Sequence, residues 1–205
     1  MLDGSMIRTL GVWLALGMVA GGAEVRWRMS APLPDSRAGA ATGVVDGRLI
    51  VAGGTYWEGS KGHWTRKLFS SRVDAFDPVS EKWTRLQDLP AALAYAASTV
   101  VDGKLYVAGG TDGKTARREV YVLERGSWRR GPDLPGPKVF AKAVALSGRV
   151  AVVGGMTRFE PHDAAGTCCT SFSATNDLLF LNGLAWEKGK PYPGQARWIW
   201  TAEGD

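Results

Sequence analysis

VVDGRLIVAGGT, residues 44–55, is written again as VVDGKLYVAGGT at residues 100–111, with ten of the twelve positions identical. A third, looser copy, ALSGRVAVVGGM, occupies residues 145–156. Self-similarity at a period near 50 residues marks an array of copied supersecondary units, and it takes precedence over any local reading. Within each copy, Asp46-Gly47, Asp102-Gly103 and Ser147-Gly148 separate two short β-prone runs. That pattern is the strongest short-range signal for a two-residue hairpin, because both turn residues must adopt positive φ.

Working outward, each copy ends in a glycine pair, at 53/54, 109/110 and 154/155. A variable stretch follows, then a third run at Arg72–Asp77, Glu119–Leu123 and Asp177–Leu181. A fourth strand begins near each of Trp83, Trp128 and Trp186. Leu-Pro pairs stand at 33/34, 89/90 and 134/135, and Tyr192-Pro193 holds the fourth such place. Each unit is therefore expected to be a four-stranded antiparallel meander. Such a sheet has two apolar faces and cannot cover either alone, so copies stack face to face, and radial stacking makes a β-propeller. The glycine pairs and the periodic tryptophans read as framework: glycine permits close backbone approach between blades, and tryptophan fills the gap to the neighbour.

Glycine pairs after a hydrophobic strand, Phe76-Asp77-Pro78 and Tyr121 upstream of a tryptophan, and Leu-Pro just beyond it resemble the kelch repeat, over Val25 to Trp200. The expected fold is thus all-β: a partial kelch-type β-propeller at 24–205, with blades at roughly 35–89, 90–134 and 135–190 and the start of another at 191–205. The segment around Trp27 reads as an outermost strand that closes the ring. At 53 residues per repeat between Trp27 and Trp186, six blades would need roughly 320 residues. The sequence thus reads as half a ring, either a truncated gene product or fragment, or a chain whose ring a second copy completes.

Composition agrees with a turn-rich β protein: 27 Gly, 10 Pro and nine Trp in 205 residues, with 45% hydrophobic residues. The net charge of +5 raises the question of nucleic acid, and Lys114, Arg117, Arg118, Arg125, Arg129 and Arg130 are close in sequence. Glu119 and Glu124 interrupt them, as on the solvated outer strands of a β protein, and no nucleic-acid-binding motif accompanies them. Residues 1–23 read as a secretory signal peptide: Met6-Ile7-Arg8, an apolar run Leu10–Ala20, then Gly21-Gly22-Ala23. The run of eleven is too short for a membrane span. A secreted or periplasmic setting follows. The only cysteines, Cys168 and Cys169, are adjacent, and form either a vicinal disulfide or thiols that are unpaired or intermolecular.

Loop length points to function. From the second glycine of each pair to the periodic tryptophan that follows (Trp83, Trp128, Trp186) is 29 residues in the first blade, 18 in the second and 31 in the third. Loops on a rigid scaffold commonly carry binding residues. The first long loop holds Tyr56, Trp57, Glu58, Lys61, His63 and Trp64; the third holds Arg158, Phe159, Glu160, His162 and Asp163. Aromatic faces beside carboxylates and cations suit a sugar, whose CH face packs on a ring while its hydroxyls bond the charged groups. Arg37 and Lys138, each three residues past a Leu-Pro pair, either reach the same surface or make framework contacts.

Gly-Gly-x-Tyr-Trp-Glu-Gly, with Leu-Pro-x-x-Arg at Arg37, is similar to bacterial kelch proteins of the N-acetylneuraminate epimerase (sialic acid mutarotase) group. The resemblance implies an isomerase acting on a sugar anomeric centre, with Glu58 moving the proton, Arg37 or Arg158 holding an anion, and Tyr56 and Trp57 stacking. Asp112 and Glu160 complete the expected ligand-binding set. A platform for a peptide or partner protein on the same face is the rival reading. A galactose-oxidase-like copper enzyme is a weaker one, since only His63 and His162 could serve as histidine ligands. No cofactor is implied, and no phosphate loop, nucleophile elbow or zinc-ligand spacing is present.

Overall fold

A computed structural model describes residues 27–60, 62–159 and 173–196. The chain divides into two compact units, Met1–Ser30 and Ala31–Asp205. In the first, only residues 27–30 are described, and they form no strand. Of the segment read as a closing strand around Trp27, residues up to 26 lie outside the described residues. The leader, Lys61, Glu160, His162, Asp163, both cysteines and the start of a further blade at 197–201 lie outside the described residues.

The second unit holds three four-stranded antiparallel sheets and one hairpin. In the first sheet β1 (Ala41–Val45), β2 (Arg48–Ala52), β5 (Val73–Asp77) and β6 (Lys82–Arg85) lie in that order. The hairpin β3 (Thr55–Ser60) and β4 (His63–Phe69) is inserted between β2 and β5. The second sheet orders β7 (Ala97–Val101), β8 (Lys104–Ala108), β9 (Val120–Glu124) and β10 (Ser127–Arg130). The third repeats this with β11 (Lys142–Leu146), β12 (Arg149–Val153), β13 (Leu178–Asn182) and β14 (Ala185–Lys188).

The turns behave as the sequence demands. Asp46 and Gly47 take φ of +49° and +72°, Asp102 and Gly103 +50° and +69°, Ser147 and Gly148 +49° and +69°. Two consecutive positive φ values match the right-handed twist of the strands they join and fix the register of each hairpin.

First strands of successive blades pack side by side, β1 on β7 and β7 on β11. At the first of these seams the Ser98 hydroxyl accepts from the Thr42 N–H and donates to the Thr42 carbonyl, both at 3.1 Å. The core lies between the sheets in two layers. Ala41, Ile50, Ala52, Val73 and Ala75 of the first blade meet Leu105, Val107, Tyr121 and Leu123 of the second. Ala97, Ala108, Val120 and Val122 on the second blade's other face meet Val150, Val152 and Leu179 of the third.

Alternation along each strand delivers this: successive residues point to opposite faces, and each face of the middle blade is apolar. At about 25 cal/mol per Å² of apolar surface, such burial is the main term holding one blade to the next.

The periodic tryptophans bridge blades. The indole N–H of Trp83 donates to the Ala31 carbonyl at 3.0 Å, Trp128 to Gln87 at 3.0 Å and Trp186 to Pro132 at 2.9 Å. Each acceptor precedes a Leu-Pro pair by two residues, so each indole pins the linker entering its own blade, and Trp128 and Trp186 also pack against the cores between the sheets. Trp128→Phe keeps most of the apolar volume and leaves the Gln87 carbonyl without this donor. It should cost about 1 kcal/mol in a urea melt.

Candidate functional site

The first blade's extra length is a β-hairpin rather than an irregular loop. Tyr56 pairs with Leu68, Trp57 with Lys67 and Glu58 with Arg66, and a bulge falls between Glu58 and Gly59. A side chain at Gly59 would bring a Cβ to 2.2 Å from the His63 carbonyl oxygen, so the bulge requires glycine. At the base, the Phe69 ring packs where a Cβ on Gly113 of the second blade would stand, 2.4 Å away. The ring of Phe159 meets it edge-on with centroids 6.3 Å apart.

Between this hairpin and the linkers lies a cleft of about 680 Å³, lined by Pro34–Arg37, Tyr56, Trp57, Phe69–Arg72, Arg85 and Asp88. Tyr56 and Trp57 remain 43% and 47% exposed, so their rings are available from solvent. Below them runs an alternating ladder of charge. Asp35 meets Arg72 at 2.6 Å, Arg72 meets Asp74 at 2.8 Å, and Asp74 meets Arg37 at 2.6 Å. Exposure falls along it, from 54% for the Asp35 side chain to 1% for both Asp74 and Arg37. Arg37 donates a second bond to the Arg72 carbonyl at 2.7 Å, and its buried Nε has no hydrogen-bond partner in the structure. Burial lowers the Arg37 pKa, against the opposing pull of Asp74, while the bond to Asp74 raises that of Arg72.

Three of the expected binding residues, Arg37, Tyr56 and Trp57, are thus brought to one cleft. Arg37 nevertheless spends its charge on Asp74. The cleft guanidiniums exposed enough to take an anion are Arg72 above it and Arg85, with side chains 27% and 48% exposed. Lys138, at the matching position of the third blade, does the same framework work: its ammonium donates to the Gly154 carbonyl, the Thr175 hydroxyl and the Asp177 carboxylate. Burial pushes the Asp177 carboxyl up, yet the bonds from Lys138 and Thr175 outweigh it and hold the group below the usual range. The middle blade has Leu93 at this place, with no charge to neutralise.

Glu58 stands apart from the cleft lining, exposed on the hairpin, where Arg66 Nε donates to it at 3.2 Å. Asp112 caps its own turn, accepting from the N–H groups of Lys114 and Thr115 at 3.0 and 3.1 Å. Its pKa lies below the usual range; burial opposes this, and those N–H bonds with the nearby Arg117 guanidinium prevail. Arg158 is exposed on the third blade's loop, its N–H donating to the Ser173 hydroxyl at 3.1 Å. Glu160 lies outside the described residues. His63 sits exposed on β4, and no cluster of three or more His, Cys, Asp or Glu suited to a metal ion occurs among the described residues. The basic residues 114–130 are largely consumed in ion pairs, Arg117 with Asp112 and Glu119, Arg129 with Glu124, Arg130 with Asp133.

Sequence reasoning missed Asp35, Arg72, Arg85 and Asp88 as cleft residues. One signal was available for the last two: Arg85-x-x-Asp88 recurs as Arg130-x-x-Asp133, and both pairs close, at 2.6 and 2.7 Å. It also missed Tyr95 and Phe140. Gly39, Tyr95 and Phe140 occupy matching places just before the first strands, with φ of +63°, +57° and +56°. Backbone bonds string them together, Tyr95 N–H to the Gly39 carbonyl at 2.8 Å and Phe140 N–H to the Tyr95 carbonyl at 3.0 Å. Left-handed backbone costs a bulky residue about 1–2 kcal/mol, so neighbours hold these two rings in place. The rings lie 4.7 Å apart, and the Lys67 ammonium sits 5.0 Å over Tyr95 and 5.9 Å over Trp57. That stack extends the aromatic surface from the cleft toward the start of the inner strands.

Comparison with known proteins agrees with this architecture. A family profile described as the Kelch motif matches residues 36–90 and 92–135. The spermatocyte protein spe-26 of Caenorhabditis elegans is 37% identical over 76 residues, 37% of this chain and 12% of that protein. The N-acetylneuraminate epimerase of Vibrio cholerae is 31% identical over 121 residues, 50% of this chain and 31% of that protein. The solved structure of YjhT superposes with a TM-score of 0.67 at 18% identity, covering 83% of this chain and 57% of that one. The chain spans less than a third of these two curated relatives. The profile falls on the first two blades, so residues 36–135 carry kelch repeats, and the third blade repeats their strand order.

Proposed function

We propose that the protein binds a carbohydrate in the cleft of the first blade, in a secreted or periplasmic setting. One observation carries the reading: two half-exposed aromatic rings, Tyr56 and Trp57, wall a cleft of about 680 Å³ whose floor offers alternating carboxylates and guanidiniums. A pyranose presents an apolar CH face and a rim of hydroxyls, and this wall and floor match the two. The distant similarity to an N-acetylneuraminate epimerase supports the same ligand class. Mutarotation additionally needs a proton donor and acceptor at the ring oxygen and anomeric hydroxyl. Of the carboxylates, Asp35 and Asp88 line the cleft and Glu58 does not, so proton transfer falls to the former pair.

The measurement is saturation-transfer NMR with a panel of neutral and acidic monosaccharides, followed by titration of the best binder. Trp57→Ala should weaken its affinity at least tenfold and leave the melting temperature within about 1 °C, since the ring is half exposed. No transfer from any sugar, or equal affinity in the variant, would end the reading. A protein partner is the second reading, favoured by Trp64 at 53% exposure beside the two cleft rings on the same hairpin. Loss of sugar binding in Trp57→Ala with none in Trp64→Ala separates the two.

A further inference from the structure

Two aromatic residues hold a backbone conformation that glycine serves elsewhere in the fold. Gly39 takes it in the first blade at φ +63°, while Tyr95 and Phe140 take it in the second and third at +57° and +56°. Strain kept where a simpler residue suffices gathers at binding sites, held there by the surrounding structure. The rings step across the blades. A Cβ on Gly39 would stand 2.4 Å from the Tyr95 ring, so that ring lies against the first blade's linker. Phe140 follows at 4.7 Å between centroids, Phe159 lies 6.4 Å from Phe140, and Phe159 meets Phe69 at 6.3 Å. Thr55 at the hairpin base steadies the first step, its Oγ1 3.4 Å from the Tyr95 hydroxyl. All four rings are half-buried, so each keeps part of its surface.

Lys67 of the hairpin stands above them. Its ammonium is 5.0 Å from the Tyr95 ring centre and 5.9 Å from that of Trp57. Among the described residues no oxygen accepts a hydrogen bond from it. Trp57 lines the cleft and Tyr95 does not. One ammonium within cation–π reach of both rings makes the cleft wall and the stack adjoining surfaces.

We propose that this stack is a second sugar subsite, which rests on the carbohydrate reading of the cleft and makes the ligand two or more linked sugar units rather than one. A pyranose joined to one held against Trp57 lays its CH face on the next rings, Tyr95 and Phe140. Its hydroxyls meet an ammonium whose three N–H donors lack an acceptor. Lys67 rises from the Tyr95 ring on its flexible stem to reach them, and a cation–π contact is exchanged for hydrogen bonds. The Tyr95 and Phe140 backbones are tied to the neighbouring linkers, at 2.8 and 3.0 Å, so these rings lose little freedom when a ligand arrives.

Calorimetric titration of the full chain tests this, with the best-binding monosaccharide and with disaccharides that link it, at each of several glycosidic positions, to a second pyranose. At least one linked pair is expected to bind about tenfold tighter than the single sugar. Tyr95→Gly and Lys67→Met should each cut that gain to about threefold or less, while the single sugar binds within about twofold of its wild-type affinity. Glycine suits φ of +57° and is what the first blade carries at this place, and methionine keeps an apolar stem on an exposed hairpin, so both variants should retain the wild-type circular dichroism. Single-sugar binding with no gain from any linked pair overturns the subsite and leaves the cleft reading intact, whereas no binding of any sugar removes both. Retention of the gain in either variant also overturns it, as does an equal loss for single and linked sugars.

Discussion

Gly109→Ala is expected to lower stability by roughly 3 kcal/mol, seen as a fall in melting temperature of about 6–12 °C for a domain of this size. Two costs combine. Gly109 has φ of +68°, a conformation that strains alanine by about 1–2 kcal/mol. A Cβ there would also stand 2.3 Å from the Lys138 carbonyl oxygen, the atom that accepts the Gly110 N–H at 2.7 Å. The linker into the third blade must therefore withdraw, and a bond worth about 1 kcal/mol between blades is lost with it. Gly53→Ala meets the Leu93 carbonyl at 2.2 Å and should behave alike. Gly47→Ala is the control. Its φ is +72° but nothing lies within 4 Å, so only the strain is felt. A loss at Gly109 no larger than that at Gly47 would refute the account.

Asp74→Ala should be comparably severe, about 3–5 kcal/mol in a chemical melt. The Arg37 side chain is 1% exposed, cannot escape by losing its proton, and would keep only the Arg72 carbonyl as an acceptor. The double variant Arg37→Met with Asp74→Leu removes both buried charges and should regain most of the loss, since well-packed apolar pairs often replace a buried ion pair without cost. Additive losses in that cycle would show that the pair is not the reason for the defect.

The framework was legible because its parts are set by local rules. Paired positive-φ turns at Asp46-Gly47 and Asp102-Gly103, period-two alternation, and a tryptophan at a fixed place each act within one blade or one seam. Arg72, Val73 and Asp74 show where legibility ends. The run read correctly as a strand, yet nothing in its own spelling tells that Asp74 points inward to meet an arginine 37 residues earlier. Lys138 and Arg37 share a sequence position, yet Arg37 meets Asp74 inside the third strand and Lys138 meets Asp177 just before it, two different columns of the repeat, while the middle blade has Leu93 at this position. Tyr95 and Phe140 were invisible for another reason. Aromatic residues normally avoid left-handed backbone, so no propensity points to them; only the Gly39 position in the same column hints at the geometry.

In every blade the carbonyl of the second glycine accepts the N–H of the residue at which the chain returns: Ser70 to Gly54 at 2.9 Å, Arg117 to Gly110 at 2.8 Å and Thr175 to Gly155 at 2.9 Å. The excursions so closed are of very different length, 55–69, 111–116 and 156–174. Departure and return are a single fixed doorway, indifferent to what lies outside it. Appendages of this kind are interchangeable parts: the hairpin that presents Tyr56 and Trp57 could be shortened, exchanged between blades or replaced by a foreign segment without disturbing the sheet that carries it, so selectivity can be rewritten in this protein while the chassis stays as it is.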